Sequence, residues 1–386
     1  MQDTIGRKRI WGWMFFDWAQ QPYATLGLTF VFAPYFAAVA AGWYMAQGLE
    51  DQAARASAQG LWSSAQTVAG LVIAISAPFL GAWADTSGRK MPWIYGFTTL
   101  AVVMASMLWI LMPDGGGLIF ALAAFWIGFV ASESAFNLNN ALLPSLGTPQ
   151  QIGRISGTAT AFGYWGGVAS LFIVLLFFAE NDSGKTLIGL APAFGLDPEW
   201  REGTRFTGPF IALWFGLFMI PYFIWNREPR VPKNPDATVG RMLKDLKASI
   251  VNISRRRSCA SFLVSSMFYR DALTALYSYG GIYATLVLDW SIIQIGVFGI
   301  IAAIAAAVIS WLGGIADERV GPKPVIRWCI WSLIVVCTVI VGMSREHLFI
   351  IPLWTQSNQL GFLPVIFLFL LGLALLVWVK PEGDVP

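Results

Sequence analysis

The chain has 386 residues, of which 56% are hydrophobic and only 12% charged. A soluble globular domain carries about 25% charged residues, so composition excludes that class, and a net charge of +3 gives no footing for nucleic-acid binding. The apolar runs do not alternate as barrel strands must, which leaves an all-α, multi-pass bundle of membrane helices, since only helices and closed barrels satisfy their backbone in lipid.

Taken in chain order, Arg7-Lys8-Arg9 precede the first apolar run and hold the N-terminus on the cytoplasmic side. Ala38-Val39-Ala40 imitates a signal-peptidase site, but the run is too long for a signal peptide and contains Asp17, Gln20 and Gln21. About 20 apolar residues cross a bilayer core. On that measure, spans are expected at 12–42, 61–83, 92–112, 117–144, 153–178 and 206–225. A polar linker occupies 226–257, and four more spans come after it at 259–288, 291–315, 325–342 and 361–379. The domain reading is a six-helix bundle over 1–225, a cytoplasmic linker over 226–257 and an incomplete, four-span bundle over 258–386. With odd spans running outward, nineteen Lys and Arg residues fall on the inner side and five on the outer. That asymmetry sets both termini in the cytoplasm and fits a bacterial inner membrane.

The linker opens with a Pro-rich stretch over 227–236. Residues 239–253 then place Met242, Leu243, Leu246, Ile250 and Ile253 at helical spacing, with Arg241, Lys244 and Lys247 on the other side. Arg255-Arg256-Arg257 come next. An amphipathic helix on the inner leaflet is expected here, with a regulatory or partner-binding segment as the alternative.

Metal, redox and nucleotide chemistry find little support. Cys259, Cys329 and Cys337 show no paired spacing and sit at or inside apolar runs, where cysteine packs as a small hydrophobe. His347 is the single histidine. Ser183-Gly184-Lys185-Thr186 imitates the end of a phosphate loop, but the glycine needed five residues earlier is Ala179. No cofactor or metal is expected.

Between spans two and three lies Gly81-Ala-Trp-Ala-Asp85-Thr-Ser-Gly88-Arg89-Lys90, read as a short polar turn at the cytoplasmic face. Its G-x-x-x-D-x-x-G-R-K pattern resembles the signature of the major facilitator superfamily. A degraded copy recurs at Gly313, Asp317, Gly321 and Lys323. Asp17, Tyr23 and Gly27 of span one are echoed at the same gaps by Asp271, Tyr277 and Gly281 of span seven. An internal repeat of two halves is a transporter architecture. Three further segments narrow the resemblance: Phe16-Asp17-Trp18-Ala19, Asn140 to Pro144 running into Thr148 to Gly157, and Tyr269-Arg270-Asp271. Together they are similar to the vacuole-effluxer-like branch of that superfamily, over nearly the whole chain.

The resemblance implies a two-bundle major facilitator fold, and relatives that export amino acids from a fungal vacuole. It also implies six helices after the linker, where only four are found. His347 to Trp354 resembles the start of a tenth helix and passes directly into Thr355 to Gly361, the approach to a twelfth. Most of helix ten and all of helix eleven are missing by this reading, giving about ten spans as six plus four. The resemblance gives Asp85 the task of capping helix eleven, so its partner is expected to be lost.

Ionisable groups within a span cost about 2.5–3.5 kcal/mol each on insertion scales, and spans one, four and seven hold most of them. These are the helices that the resemblance assigns to the central cavity. Span four carries Glu133, Asn137 and Asn140, spaced to share one helix face. Span one offers Asp17, Gln20 and Gln21, and span seven Arg270, Asp271 and Tyr277. Arg270 suits an anionic group such as a substrate carboxylate. Glu133 is the candidate proton-coupling group, because burial disfavours the charged form of a carboxyl. Asp17 near the membrane face, Arg270 paired to another helix and Glu133 hydrogen-bonded between helices are the structural alternatives. Gly163 and Gly167 form a small-xxx-small pair expected to pack helices.

The leading expectation is a secondary transporter of a small, amino-acid-like solute, with proton coupling as a further expectation. It would work by alternating access with the signature segments as cytoplasmic gates: Gly81, Asp85, Gly88, Arg89, Lys90, Asp317 and Lys323. A truncated relative serving as a membrane scaffold or partner protein is the second. An integral membrane enzyme is the third, and no catalytic cluster supports it.

Overall fold

The computed structural model describes residues 2–181, 183–226, 239–286, 292–342 and 363–380. Among them all regular structure is helical. The helices are α1 Gln2–Pro22, α2 Phe32–Ala46, α3 Asp51–Ser87, α4 Met91–Ser106, α5 Leu118–Asn140 and α6 Pro149–Phe177. They continue as the single turn α7 Glu202–Arg205, α8 Thr207–Trp225, α9 Val239–Arg255, α10 Arg257–Leu286, α11 Ile292–Val320, α12 Pro322–Gly342 and α13 Leu363–Leu375. Eight described segments are long and apolar enough to cross a membrane. The 30-residue α10 and the shorter apolar stretch Val365–Trp378 fall where the other two crossings are expected. The chain divides into two compact units, residues 1–246 with 303–311, and residues 247–302 with 312–386.

Several boundaries differ from the sequence reading for identifiable reasons. The first span is not one α-helix. Pro22 ends α1, an eight-residue π-helix, Tyr23–Phe30, comes next, and α2 resumes after Val31. Proline has no N–H to donate and its ring crowds the preceding turn, so the ladder shifts its register there. The second span starts ten residues earlier than expected, at Asp51, where the exposed Asp51–Arg55 pair at 2.9 Å adds a polar turn to the helix. The signature is not a turn from Gly81 onward. Helix α3 runs through Ser87, and the break is Gly88 at φ +67°, a left-handed conformation that glycine adopts at no steric cost. The second copy behaves alike: α11 runs through Asp317 to Val320, and Gly321 at φ +83° ends it.

In the first unit, α1 is the centre. It packs against α6 and α8 and touches α5, while α3 and α4 both pack on α5, and α8 also packs on α4. The α1–α6 contact depends on missing side chains. A Cβ at Gly163 would lie 3.1 Å from the Asp17 Cβ, one at Gly166 would lie 2.8 Å from the Trp18 carbonyl, and one at Gly167 would lie 2.5 Å from the Thr25 hydroxyl. The α5 contact is similar. Gly128 leaves room for the Tyr23 hydroxyl, and a Cβ on Gly27 would lie only 2.9 Å from the Phe125 ring. Aromatic stacking of Trp18 on Phe162 and Trp214 fills the remaining space toward α6 and α8. Helix α6 starts with a complete capping box, Thr148 and Gln151, and Pro149 at its first position.

One end of this unit gathers the start of α1, the end of α5 and the end of α8. Trp13 Nε1 donates to the Asn139 carbonyl at 2.9 Å, Arg9 reaches the Ser145 hydroxyl, and Gly12 abuts Trp225 and Asn226. At the opposite end Arg205, buried at the end of α7 just before α8, donates through Nε and Nη2 to the Trp109 carbonyl at 3.0 and 2.7 Å and lies 4.6 Å over that indole. Buried Glu180 accepts from the Thr204 backbone and hydroxyl. These polar anchors near the span ends had no signature in the sequence.

The second unit has a core of Ala272, Ile330, Ile334, Cys337, Val365, Phe369 and Leu376. Helix α13 packs on α10 and α12. Ser265 donates to the Gly372 carbonyl at 2.6 Å, and a Cβ on Gly372 would sit 3.2 Å from the Ser265 carbonyl. These are the contacts that α8 makes with α1 and α4 in the first unit, so α13 occupies the sixth-helix role. Among the described residues of the second unit, no helix takes the places of α5 and α6. Residues 343–362 lie between α12 and α13, and two further spans need about 40 residues. The segment read as the start of helix ten, His347 to Trp354, lies outside the described residues.

Close packing at α6 gives a direct test. Gly166→Leu is expected to destabilise the protein by about 1–3 kcal/mol, seen as a lower thermal midpoint in detergent. Gly216→Leu, where nothing lies within 4 Å, is expected to leave that midpoint unchanged. Equal effects of the two would contradict the packing assigned to α1 and α6.

Candidate functional site

Polar side chains within the first unit concentrate on α1 and α5. Gln20 Nε2 donates to Glu133 Oε1 at 3.0 Å, joining the two helices at mid-span. Gln21 lies one residue on, with its Nε2 at 3.5 Å from the Thr25 hydroxyl. Asp17 is half-buried on the α1 turn below, against Gly163, and makes no hydrogen bond to another described side chain. Asn137 and Asn140 continue from Glu133 along α5, and both are exposed, whereas Asn139 between them is buried. Thus Gln20 and Glu133 join α1 to α5, Asp17 and Gln21 lie on the α6 side of α1, and the asparagines continue from Glu133 toward the end of α5.

The glycine contacts explain the arrangement. They bring the α1 backbone so near α6 that Asp17, Gln21 and Thr25 lie at that interface, and Tyr23 and Gly27 interlock with α5. The repeated residues Tyr23 and Gly27 are therefore packing residues in this half. Asn137 also lines a recess of about 60 Å³ with Gly81, Leu80 and Ser134, at the α3 end that carries the signature. Arg89 is exposed and Lys90 half-buried just past that end, while the side chain of Asp85 lies outside the described residues. A separate groove of about 460 Å³ between α3, α4 and α5 is lined wholly by apolar residues such as Val68, Val72, Leu100 and Ile127. It offers a charged solute no partner.

The echo of this set in the second unit differs. Asp271 is exposed, where its counterpart Asp17 is covered by α6. Arg270 is exposed and within hydrogen-bonding reach of the Tyr269 hydroxyl. The Tyr277 side chain lies outside the described residues. Lys323 donates to the Val379 carbonyl and tethers the start of α12 to the end of the terminal helix, a structural task. Asp317 is half-buried, and its Oδ1 has no hydrogen-bond partner among the described residues.

The profile of the family described as "Vacuole effluxer Atg22 like" matches residues 5–344. The chain belongs to that family. It is also similar, at 22% identity over 359 residues, to the uncharacterised MFS-type transporter YxiO of Bacillus subtilis (strain 168), an alignment covering 90% of this chain and 77% of the relative. Membership of the Atg22-like family, together with the helical structure, makes the protein an all-α, multi-pass transporter-family membrane protein of the major facilitator type. The family match closes three residues before His347.

Water access along α5 can be tested from these positions. In a variant whose three cysteines are replaced by serine, Asn137→Cys and Asn140→Cys are expected to react with a membrane-impermeant maleimide at least about tenfold faster than Asn139→Cys, in line with burial control of thiol reactivity. Uniformly slow reaction would place the asparagines against lipid.

Proposed function

We propose that this chain is a secondary active transporter of a small, amino-acid-like solute, working by alternating access of its two units and coupled to protons. The observation that carries the reading is the Gln20–Glu133 hydrogen bond at 3.0 Å between α1 and α5, inside a bundle built mostly from apolar side chains. An ionisable group at that depth is expensive and is retained where it serves an ion or solute path. Glu133 takes and releases the proton. Gln20 donates to its carboxylate and is free to serve the solute when Glu133 is protonated. Asp17, Gln21, Asn137 and Asn140 are the further candidate polar contacts of the first unit, and Arg270, Asp271 and Tyr277 are the candidates of the second unit, taken by itself. Alternating access then consists of a shift between two states to which solute and proton bind unequally. Gly88 and Gly321, which end α3 and α11, mark the hinges of the two signature segments.

The protein sits in a bacterial inner membrane with both termini cytoplasmic, as the cation asymmetry and the Bacillus relative support. A second reading is favoured by one observation: among the described residues the second unit has no counterparts of α5 and α6. A bundle so reduced serves instead as a membrane scaffold or partner protein.

Proteoliposome uptake of radiolabelled amino acids under an imposed pH gradient separates the two. The transporter reading predicts accumulation of at least one amino acid above protein-free vesicles. Glu133→Gln is expected to abolish gradient-driven accumulation while exchange of preloaded solute persists. An unchanged pH profile in that variant removes the proton role from Glu133. No accumulation of any amino acid by the parent protein favours the scaffold.

A further inference from the structure

Helix α9 stands apart from the membrane-spanning helices in its surface. Leu243, Leu246, Ile250 and Ile253 recur at three- and four-residue spacing and form one stripe. Leu243 and Ile250 on that stripe are 46% and 59% exposed. Arg241, Lys244 and Arg255 lie around the opposite side and Lys247 flanks the stripe, with Asp245 the one acid in the helix. An apolar stripe this exposed is unstable in water. It is too narrow, and its opposite side too charged, for a membrane crossing.

Its position is fixed by the junction with α10. Only Arg256 separates the two helices, and the backbone stays bonded through it: Arg256 N donates to the Ile253 carbonyl at 3.0 Å, and Ala260 N to the Arg256 carbonyl at 2.9 Å. The end of α10 to which α9 is joined is also the end that holds the last residues of the terminal helix, since Ser258 accepts from the Lys380 backbone at 2.8 Å. Exposed Trp378 and Lys380 stand there beside Arg255, Arg256 and Arg257. Tryptophan and basic residues at a helix end mark the membrane–water boundary. A helix tied to that boundary by one residue has its stripe within reach of the bilayer surface.

We propose that α9 docks on the membrane surface as an anionic-lipid sensor, its Leu243–Ile253 stripe inserted among the acyl chains and its cations engaging acidic headgroups. Charge complementarity selects this occupant. Six cations, Arg241, Lys244, Lys247, Arg255, Arg256 and Arg257, against Asp245 are the pattern of a segment that recognises anionic lipid, each cation strengthening surface binding by roughly fivefold. This inference is independent of the transport reading, because it concerns a surface outside the polar set of α1 and α5.

Hydrogen exchange of the α9 amides in the full-length protein tests it. The protein is placed in nanodiscs of phosphatidylcholine alone, or of phosphatidylcholine with phosphatidylglycerol. Exchange over 241–253 is expected to slow by roughly tenfold or more when the anionic lipid is present. That gain is expected to vanish at 1 M salt, where the Debye length is about 3 Å. The variant Lys244→Gln/Lys247→Gln/Arg255→Gln is expected to lose the gain while α5 amides exchange as in the parent protein. Equal protection in both lipids overturns the proposal, as does a gain that survives in the variant. Protection that requires an added membrane extract and is absent when the discs hold this protein and anionic lipid alone also overturns it, in favour of a protein partner.

Discussion

The first half of this molecule depends on how closely a helix backbone can approach another when glycine removes the side chain between them. Gly163, Gly166 and Gly167 let α1 lie directly on α6, and Gly27 and Gly128 let the continuation of α1 interlock with α5. In lipid there is no hydrophobic gain from pressing helices together, so close van der Waals contact and interhelical hydrogen bonds are what hold a bundle. The same approach sets the azimuth of α1. Once Trp18 is committed to Phe162 and Trp214, Gln20 faces α5 and meets Glu133. Packing and the candidate site are thus one arrangement, and the residues that would move a solute are positioned by residues that carry no chemistry.

The two halves show what that arrangement requires. They repeat at the level of sequence, at the level of the left-handed glycines that end α3 and α11, and in the packing of the last helix on the first and third. They part company where α5 and α6 have no described equivalents. Asp17 and Asp271 occupy matching places in the repeat, yet one is covered by a glycine face and the other is exposed. Equal sequence position therefore gives unequal burial, and a polar-contact role proposed for Asp17 does not pass to Asp271 by symmetry.

Much of this is legible in the residues alone. Length and apolarity locate the crossings, because a bilayer of fixed thickness imposes a minimum run on every span. The spacing of Glu133, Asn137 and Asn140 places them on one face of α5, and the small-xxx-small pair in α6 announces its packing. Other features have no local signature. The π-helix after Pro22 arises from one missing donor, and the π register continues over eight residues that read like any apolar run. The extension of α3 to Asp51 is carried by alanine, glutamine and one ion pair, which resemble loop composition. The buried Arg205 and Glu180 read simply as outer charges, since their partners are backbone groups brought near only by folding. The link between Gln20 and Glu133 spans 113 residues, and spacing cannot reveal a contact across that distance.

Whether Gln20 and Glu133 act as one unit in moving solute is measured directly by a double-mutant cycle on uptake rate. Gln20→Ala, Glu133→Ala and the double variant are compared with the parent in proteoliposomes, using a solute the parent accumulates. Residues joined by a hydrogen bond are expected to show a coupling of about 0.5–3 kcal/mol, so the double variant should lose much less than the product of the single losses. Losses that multiply with no coupling would contradict the account, and so would a parent protein that accumulates nothing.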